Sequence, residues 1–302
     1  MSAGLSIVRP VPLTDARLFS TNVPENDHAA WVVDDTYALG VRAIVVATHR
    51  VYESLQAGNV GRAPATNPTW WIDVGPTNRW RAFDTSNATQ TAQATSIVYT
   101  LRPGIALDSL AALNLTNATS VRVQMTDPTF GAVYDKTVSL VGLPGASGWW
   151  SWFFGVRSSP TQALFTDLPS YPGADVTVTI SGGAGLAVGV ILFGQSRSFS
   201  MGIKYGARVG IQDYSRKERN SFGDTILVKR AYARRANFDL LLLRAEVDSF
   251  IEFLASARSD PCLWIGSNQD ESLTVYGFYK NFDVLISYPM HADCSLEIEG
   301  LT

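Results

Sequence analysis

Val121-Arg122-Val123-Gln124-Met125 and Val176-Thr177-Val178-Thr179-Ile180 place an apolar side chain at every second position. Successive side chains of a β-strand point to opposite faces of the sheet, so both stretches predict strands with one buried face and one wet face. Similar runs, separated by turn residues, continue from residue 80 to residue 201, and we predict strands at 96–101, 120–126, 133–140, 149–154, 175–181 and 186–193. Short strands at this spacing predict an antiparallel β-sandwich or jelly-roll.

Four small residues, Gly182-Gly183-Ala184-Gly185, separate the last two of these predicted strands. A phosphate-binding loop would need a lysine and a helix directly after the glycines, and neither follows here. We therefore predict a tight hairpin turn at this position.

The pattern changes after residue 201. Strands are predicted at 207–212, 225–231, 235–243, 262–265, 273–286 and 294–301. Between them, residues 244–259 predict the one convincing helix, because Val247, Phe250, Ile251, Leu254 and Ala257 fall on one face and Asp260-Pro261 ends the run. A sheet that packs against one helix predicts an α+β unit of about 100 residues.

The predicted fold class is mainly β: a small β-module plus an antiparallel β-sandwich or jelly-roll, followed by a C-terminal α+β unit with one main helix. The predicted domains are an extended N-terminal arm at 1–24, the small module at 25–79, the sandwich at 80–201 and the α+β unit at 202–302. Three prolines, Pro10, Pro12 and Pro24, keep the arm extended, and its apolar residues lead us to expect that it lies on a neighbouring molecule.

Composition narrows the classes of protein. The chain has 302 residues, of which 46% are hydrophobic and 17% charged, with a net charge of −3, which argues against a disordered chain and a nucleic-acid-binding protein. No apolar run approaches 18 residues and the first residues lack signal-peptide features, so we expect synthesis in the cytoplasm and no membrane insertion. Cys262 and Cys294 are predicted to be free and buried.

The small module contains an ordered series of aromatic and turn residues: Trp31, Tyr37, Gly40, Tyr52, Asn59-Val60-Gly61 and Trp70-Trp71. Adjacent residues of a strand face opposite ways. One of the paired tryptophans is therefore predicted to pack in a small core while the other faces outward. The outward ring either stacks on a sugar or partner, or covers the next domain. Tyr52, Trp70 and Trp71 are the candidate carbohydrate or partner contacts.

This series resembles the chitin-binding type 3 modules over about 45 residues. In those modules a tyrosine, a glycine-led strand, a second tyrosine-bearing strand, an Asn-x-Gly turn and a closing tryptophan strand follow one another. Variants of the pattern also occur inside structural proteins of tailed bacteriophages. The resemblance therefore implies a carbohydrate-binding-like module, with a host surface glycan as one expected partner.

Charge is sorted along the C-terminal unit. Residues 204–244 contain ten basic and four acidic residues, a net of +6, and residues 246–302 contain two basic and ten acidic residues, a net of −8. The two halves either pair within one sheet or meet head to tail between copies in a ring. A third alternative, nucleic-acid contact, is disfavoured because aromatic residues are not interleaved with the basic ones. The candidate assembly residues are Arg216, Lys217, Arg219, Arg230, Arg234, Arg235, Glu297 and Glu299.

The same unit carries a second resemblance. Five strings and the amphipathic helix look like those of tail or baseplate proteins of tailed bacteriophages. The strings are Asp213-Tyr214-Ser215-Arg216-Lys217-Glu218, Phe222-Gly223, Arg230-Ala231-Tyr232-Ala233-Arg234-Arg235, Asp260-Pro261-Cys262-Leu263-Trp264-Ile265 and the ending Ser295-Leu296-Glu297-Ile298-Glu299-Gly300-Leu301. The resemblance implies a non-enzymatic tail, baseplate or fibre-anchoring protein, assembled in the host cytoplasm and located in the virion. Its implied partners are other tail proteins and copies of itself in a ring or trimer.

Searching for catalytic chemistry returns no motif. The three histidines, His28, His49 and His291, are dispersed without metal-ligand spacing, so we predict no metal and no cofactor. His49 is predicted to be a surface residue. Trp149-Trp150-Ser151-Trp152-Phe153-Phe154 is the densest aromatic run, and as a strand both of its faces are expected to be buried, in the core or at an interface.

Overall fold

The computed structural model describes residues 4–141, 149–154, 159–199, 202–204, 206–219, 223–258, 260–267 and 271–301. It is mainly β with large antiparallel sheets, which confirms the predicted fold class. The domain boundaries stay a prediction.

Eighteen strands and two α-helices form the described part of the chain. The strands are β1 (Leu5–Pro10), β2 (Leu18–Thr21), β3 (Arg42–Val45), β4 (Arg50–Ser54), β5 (Trp71–Pro76), β6 (Thr91–Ala92), β7 (Ser96–Leu101), β8 (Ser109–Asp127), β9 (Gly131–Ser139), β10 (Ala163–Phe165), β11 (Asp175–Phe199), β12 (Arg208–Asp213), β13 (Arg216–Arg219), β14 (Thr225–Val228), β15 (Tyr232–Leu243), β16 (Cys262–Ile265), β17 (Thr274–Leu285) and β18 (His291–Gly300). The helices are α1 (Trp149–Phe154) and α2 (Val247–Ser256).

One 13-stranded sheet organises the molecule, in the order β10-β8-β11-β1-β16-β17-β18-β15-β12. β7 and β9 extend it by pairing with β11 and β8, and β2 and β6 pair with β7 and β11. The two alternating stretches of the sequence are neighbours, with Val178 of β11 opposite Val123 of β8. Their apolar sides meet in the largest core, which includes Tyr99, Phe165 and Phe193.

The glycine cluster at 182–185 is not a hairpin turn, contrary to the prediction. β11 continues through it, and the pairing with β8 shifts on both sides of Gly182. Between the pairs Gly182–Ala118 and Ala187–Thr116, β11 advances five residues while β8 advances two. The cluster is therefore a β-bulge with several extra residues on β11. Gly182 is required there, because a Cβ atom would lie 2.3 Å from the carbonyl oxygen of Asn117.

The N-terminal segment lies in the chain's own sheet, which corrects its expected place on a neighbouring molecule. β1 pairs with β11 on one side and with β16 on the other. Leu5, Ile7 and Val8 are all buried. The edges of β11 and β16 supply backbone hydrogen-bonding partners and the neighbouring cores accept these apolar side chains, so burial here outweighs an extended position in solvent.

The C-terminal unit contains the predicted helix. A 3₁₀ turn at Arg244–Glu246 leads directly into α2, giving 13 helical residues, and Ser259 at the predicted end lies outside the described residues. Phe250 and Leu254 are buried as predicted, whereas Ile251 is exposed because it lies at the edge of the apolar face. The helix packs on a core that includes Phe238 and Trp264.

The aromatic run at 149–154 forms the short helix α1, so the predicted strand is wrong. Its four described rings, those of Trp149, Trp150, Phe153 and Phe154, are exposed, which contradicts burial in the core of the chain. Burial at an interface with another molecule stays a prediction. The helix brings residues four apart together, and the rings of Trp150 and Phe154 lie 4.4 Å apart. A strand would place them further apart along one edge.

Candidate functional site

The small module is a three-stranded antiparallel sheet, β3-β4-β5, around an aromatic core. Tyr52 is 8% exposed and Trp71 2% exposed, and both pack with Tyr37 and Ala43. The rings of Tyr37 and Trp71 meet edge to face at 5.0 Å, and the indole nitrogen of Trp71 donates to the carbonyl oxygen of Arg62 at 2.8 Å. Tyr52 and Trp71 are therefore core residues, because so small a sheet needs rings to fill it.

Trp70 is half-buried, but it precedes β5 and packs against the same core, so it is not the outward-facing ring that alternation predicted. The guanidinium of Arg62 lies 3.5 Å from the centre of its ring. A cation at this distance is attracted to the ring face and occupies it. Tyr52, Trp70 and Trp71 therefore do not form an exposed platform of three rings, and carbohydrate contact by the module stays a prediction.

His49 lies at the base of the module and is half-buried, which corrects its predicted surface position. Its ring nitrogens lie 2.8 Å from a carboxylate oxygen of Glu25 and 2.7 Å from one of Asp15, and its ring stacks on Trp80 at 4.3 Å. The Glu25 carboxylate also accepts from the hydroxyl of Thr77. These contacts fasten the module to the rest of the chain, and sequence spacing gave no signal for them.

The C-terminal edge of the large sheet is the second candidate region. β12 is the outermost strand, paired only with β15, and all six of its residues are exposed. It is followed by a ribbon of β13 and β14, in which all eight strand residues are exposed. We refer to β12 and this ribbon together as the open edge.

The open edge carries large apolar side chains in solvent. Leu227 is 70% exposed and Ile211 66% exposed, and Val209, Ile226, Val228 and the neighbouring Tyr232 are also exposed. A two-stranded ribbon is only marginally stable in water by itself, and an uncovered sheet edge is a template for pairing with another strand. Apolar groups combined with unpaired backbone are the features of a surface that binds protein.

Positive charge is concentrated on the same region. Residues 208–235 contain eight basic and three acidic residues, a net of +5. Arg216 pairs with Glu218 at 2.5 Å and Lys217 with Asp213 at 2.7 Å, but these pairs are exposed and contribute little stability. Of the eight basic residues between 208 and 235, five make no ion pair with another described residue: Arg208, Arg219, Lys229, Arg230 and Arg234.

The acidic candidates are engaged within the chain. Arg235 of β15 pairs with Glu297 of β18 at 3.0 Å, and Lys280 lies 4.0 Å from Glu297 and 3.8 Å from Glu299. The hydroxyl of Tyr214 donates to Glu299 at 2.6 Å, a bond that raises the pKa of the tyrosine and ties the base of the ribbon to β18.

Arg234 belongs to the same strand as Arg235 but makes no such ion pair among the described residues, and its guanidinium donates to the carbonyl oxygen of Glu271 at 3.4 Å. Ion pairs between the two charge halves are thus those of Arg235 with Glu297 and of Lys204 with Asp293 among the described residues. They leave the basic residues of the open edge available for another molecule.

A cleft with a volume of about 920 Å³ lies beside β1. Two carboxylates line it: Asp260 pairs with Arg9, and Asp84 accepts hydrogen bonds from Thr89 and Ser86. No histidine or cysteine lines the cleft, and the described residues contain no cluster of His, Cys, Asp or Glu that could hold a metal ion. Ser196 also lines the cleft, and its hydroxyl donates to the carboxylate of Asp108 at 3.0 Å.

Both cysteines are free and buried, as predicted. Burial raises the pKa of the Cys262 thiol to about 11 and that of the Cys294 thiol to about 12. A thiol with a raised pKa is a poor nucleophile at neutral pH, so neither cysteine is suited to covalent chemistry.

Comparison with known proteins leaves this geometry as the basis for a functional argument. No protein-family model matches the chain, and no curated protein matches it with significant similarity. Among the described residues, no helix has the length and apolar character needed to cross a membrane.

Proposed function

We propose that this chain is a non-enzymatic structural component of a bacteriophage tail, as a tail, baseplate or fibre-anchoring protein, and that it assembles through its C-terminal unit. The observation that carries the proposal is the open edge, where β12 and the β13–β14 ribbon are exposed along their whole length. The assignment to a phage tail draws on the resemblance of residues 213–301 to tail proteins. The geometry supports the assembly role.

Strand addition is the mode of contact that the open edge favours. β15 takes up one side of β12, so the outward backbone groups of β12 are free to pair with a strand of another subunit. Ile211 and Leu227 supply apolar contact area beside that pairing. The unpaired basic residues select an acidic partner surface and guide its approach.

A second copy of the chain offers such a surface. The outer face of α2 exposes Asp248 and Glu252 next to the half-exposed Ile251. While a strand of the second copy pairs with β12, the acidic helix face of that copy can meet the basic ribbon. Such a contact is head to tail, and its repeated rotation closes a ring. This arrangement keeps the internal Arg235–Glu297 pair intact.

The native mass of the full chain, measured by native mass spectrometry and light scattering over a salt series, tests the proposal. We expect an oligomer that dissociates as salt rises. Dissolved ions shorten the range of attraction between exposed charges from about 10 Å at about 0.1 M salt to about 3 Å at about 1 M. The double variant Ile211→Ser/Leu227→Ser is expected to shift the mass toward the monomer. Leu39→Ser is the matched control, since Leu39 is 67% exposed but lies in the small module.

A monomer at every salt and protein concentration would contradict self-assembly through the open edge. If Leu39→Ser lowered the native mass of the oligomer as much as the double variant does, the contact would not lie at the open edge.

A further inference from the structure

The helix α1 exposes an aromatic surface that the proposed assembly does not use. Trp149, Trp150, Phe153 and Phe154 are between 64% and 71% exposed. None of the four belongs to a hydrophobic core of the described chain. Large aromatic side chains are normally buried or covered by a partner, so four of them on one short element mark a binding surface.

The four rings share one side of the helix. At 100° per residue, positions 149, 150, 153 and 154 fall within an arc of about 140°. Neighbouring rings also touch, since Trp149 and Trp150 lie 5.8 Å apart and Trp150 and Phe154 lie 4.4 Å apart. The result is one continuous aromatic face with two indole N–H donors in it.

The surrounding sequence is free of charge. From Thr137 to Val156 the chain has no Asp, Glu, Lys, Arg or His in 20 consecutive residues. The helix α1 itself has no charged residue, so its exposed rings can enter an apolar phase without removing a charge from water, which is the largest cost of such a transfer.

We propose that this aromatic face inserts into the interfacial region of a lipid bilayer. Tryptophan favours the boundary between headgroups and acyl chains, where the ring is in an apolar environment and the N–H reaches polar groups. Phenylalanine rings contribute apolar area below that level. A helix of six residues is far too short to span a bilayer, which takes about 20 residues, so the helix lies in the interface.

Lipid fits this surface better than a protein partner does. An aromatic side chain buries about 150–250 Å², so four rings exposed by about two thirds offer roughly 500 Å². A stable protein contact needs about 800 Å² from each partner, with a polar rim around its apolar centre. A bilayer requires neither that area nor a complementary shape. The lack of a long apolar run argues against a segment that spans a bilayer. It does not argue against a short helix that lies in the interface.

Flotation of the full chain with vesicles of zwitterionic phosphatidylcholine tests the proposal. We expect the protein to float with the vesicles, with its tryptophan emission shifted to the blue and quenched by brominated lipid. Because the face is uncharged, flotation is expected to persist at 1 M salt, where charges are screened within about 3 Å. The double variant Trp150→Ser/Phe154→Ser is expected to reduce the floated fraction at least tenfold.

The matched control is Leu39→Ser/Phe130→Ser, which removes two exposed apolar side chains elsewhere and is expected to float like the parent chain. Three results would overturn the proposal: no flotation of the parent chain, equal flotation of the Trp150 and Phe154 variant, or flotation only with anionic vesicles at low salt. The last result would assign lipid binding to the basic open edge. A loss of oligomer mass in the Trp150 and Phe154 variant without loss of flotation would assign the face to a protein contact instead.

Discussion

Replacing Ile7 by alanine tests the position of the N-terminal strand. Ile7 is fully buried in β1, between β11 and β16, and it packs in the C-terminal core. The change removes about three methyl or methylene groups at about 0.8 kcal/mol each, or roughly 2.4 kcal/mol of transfer free energy. The cavity left behind adds to this, so we expect a loss of about 3 to 4 kcal/mol, within the usual range for such changes.

The assay is urea unfolding of the full chain together with its thermal melting curve. A loss of 3 to 4 kcal/mol lowers the melting temperature by about 6 to 8 °C at roughly 2 °C per kcal/mol. Ser6→Ala in the same strand is the control, because Ser6 is half-exposed and its change removes no buried apolar group. A loss below about 1 kcal/mol for Ile7→Ala, similar to that of Ser6→Ala, would refute the inclusion of β1 in the sheet.

Three further predictions follow from the site. Trp71→Ala is expected to destabilise the small module by about 3 to 5 kcal/mol, measured by the exposure of its strands to proteolysis; an unchanged digestion pattern would place the ring outside the core. Lys204 lowers the pKa of the Asp293 carboxyl, so this pair stabilises the fold above the unfolded-state pKa and the contribution is lost as pH falls through the folded-state pKa. Lys204→Met is expected to flatten that acid dependence, and an identical pH profile would contradict the pairing. Cys262 and Cys294 are expected to react with a thiol reagent at pH 8 only after unfolding, and rapid labelling of the native chain would contradict their burial.

Elements with a strong local pattern could be predicted from the sequence. Predicted strands at 96–101 and 262–265 have the same bounds as β7 and β16, and the apolar face of α2 is the predicted one at Phe250 and Leu254. In these segments the spacing of apolar residues matches one type of element, so local propensity and burial agree.

Features that depend on distant partners could not be predicted in this way. The pairing of β1 with β11 joins residues almost 200 positions apart, and no local pattern encodes it. The bulge at Gly182 looks like a turn in sequence, because glycine favours both, and only the long partner β8 distinguishes them. The run at 149–154 is too short to show either period.

The candidate sites also combine features that local sequence predicts with features that depend on distant residues. Alternation predicted that Trp70 and Trp71 face opposite ways, but it could not show that both pack on one core and that Arg62 covers the ring of Trp70. Charge counting indicated complementary halves, and pairing within the chain at Arg235 and Glu297 accounts for part of them. The exposure of β12 and the ribbon is a property of the whole sheet, since it depends on which strand is last.

Amide hydrogen exchange along β12, compared between dilute and concentrated protein, tests assembly through the open edge most directly. Backbone amides that face away from β15 exchange quickly in an isolated chain and are protected once another strand pairs with them. We predict that protection of Arg208–Asp213 and of the β13–β14 ribbon rises with protein concentration while that of the buried strand β16 stays constant. Rapid exchange along β12 at all concentrations, in a sample whose mass shows an oligomer, would contradict the account.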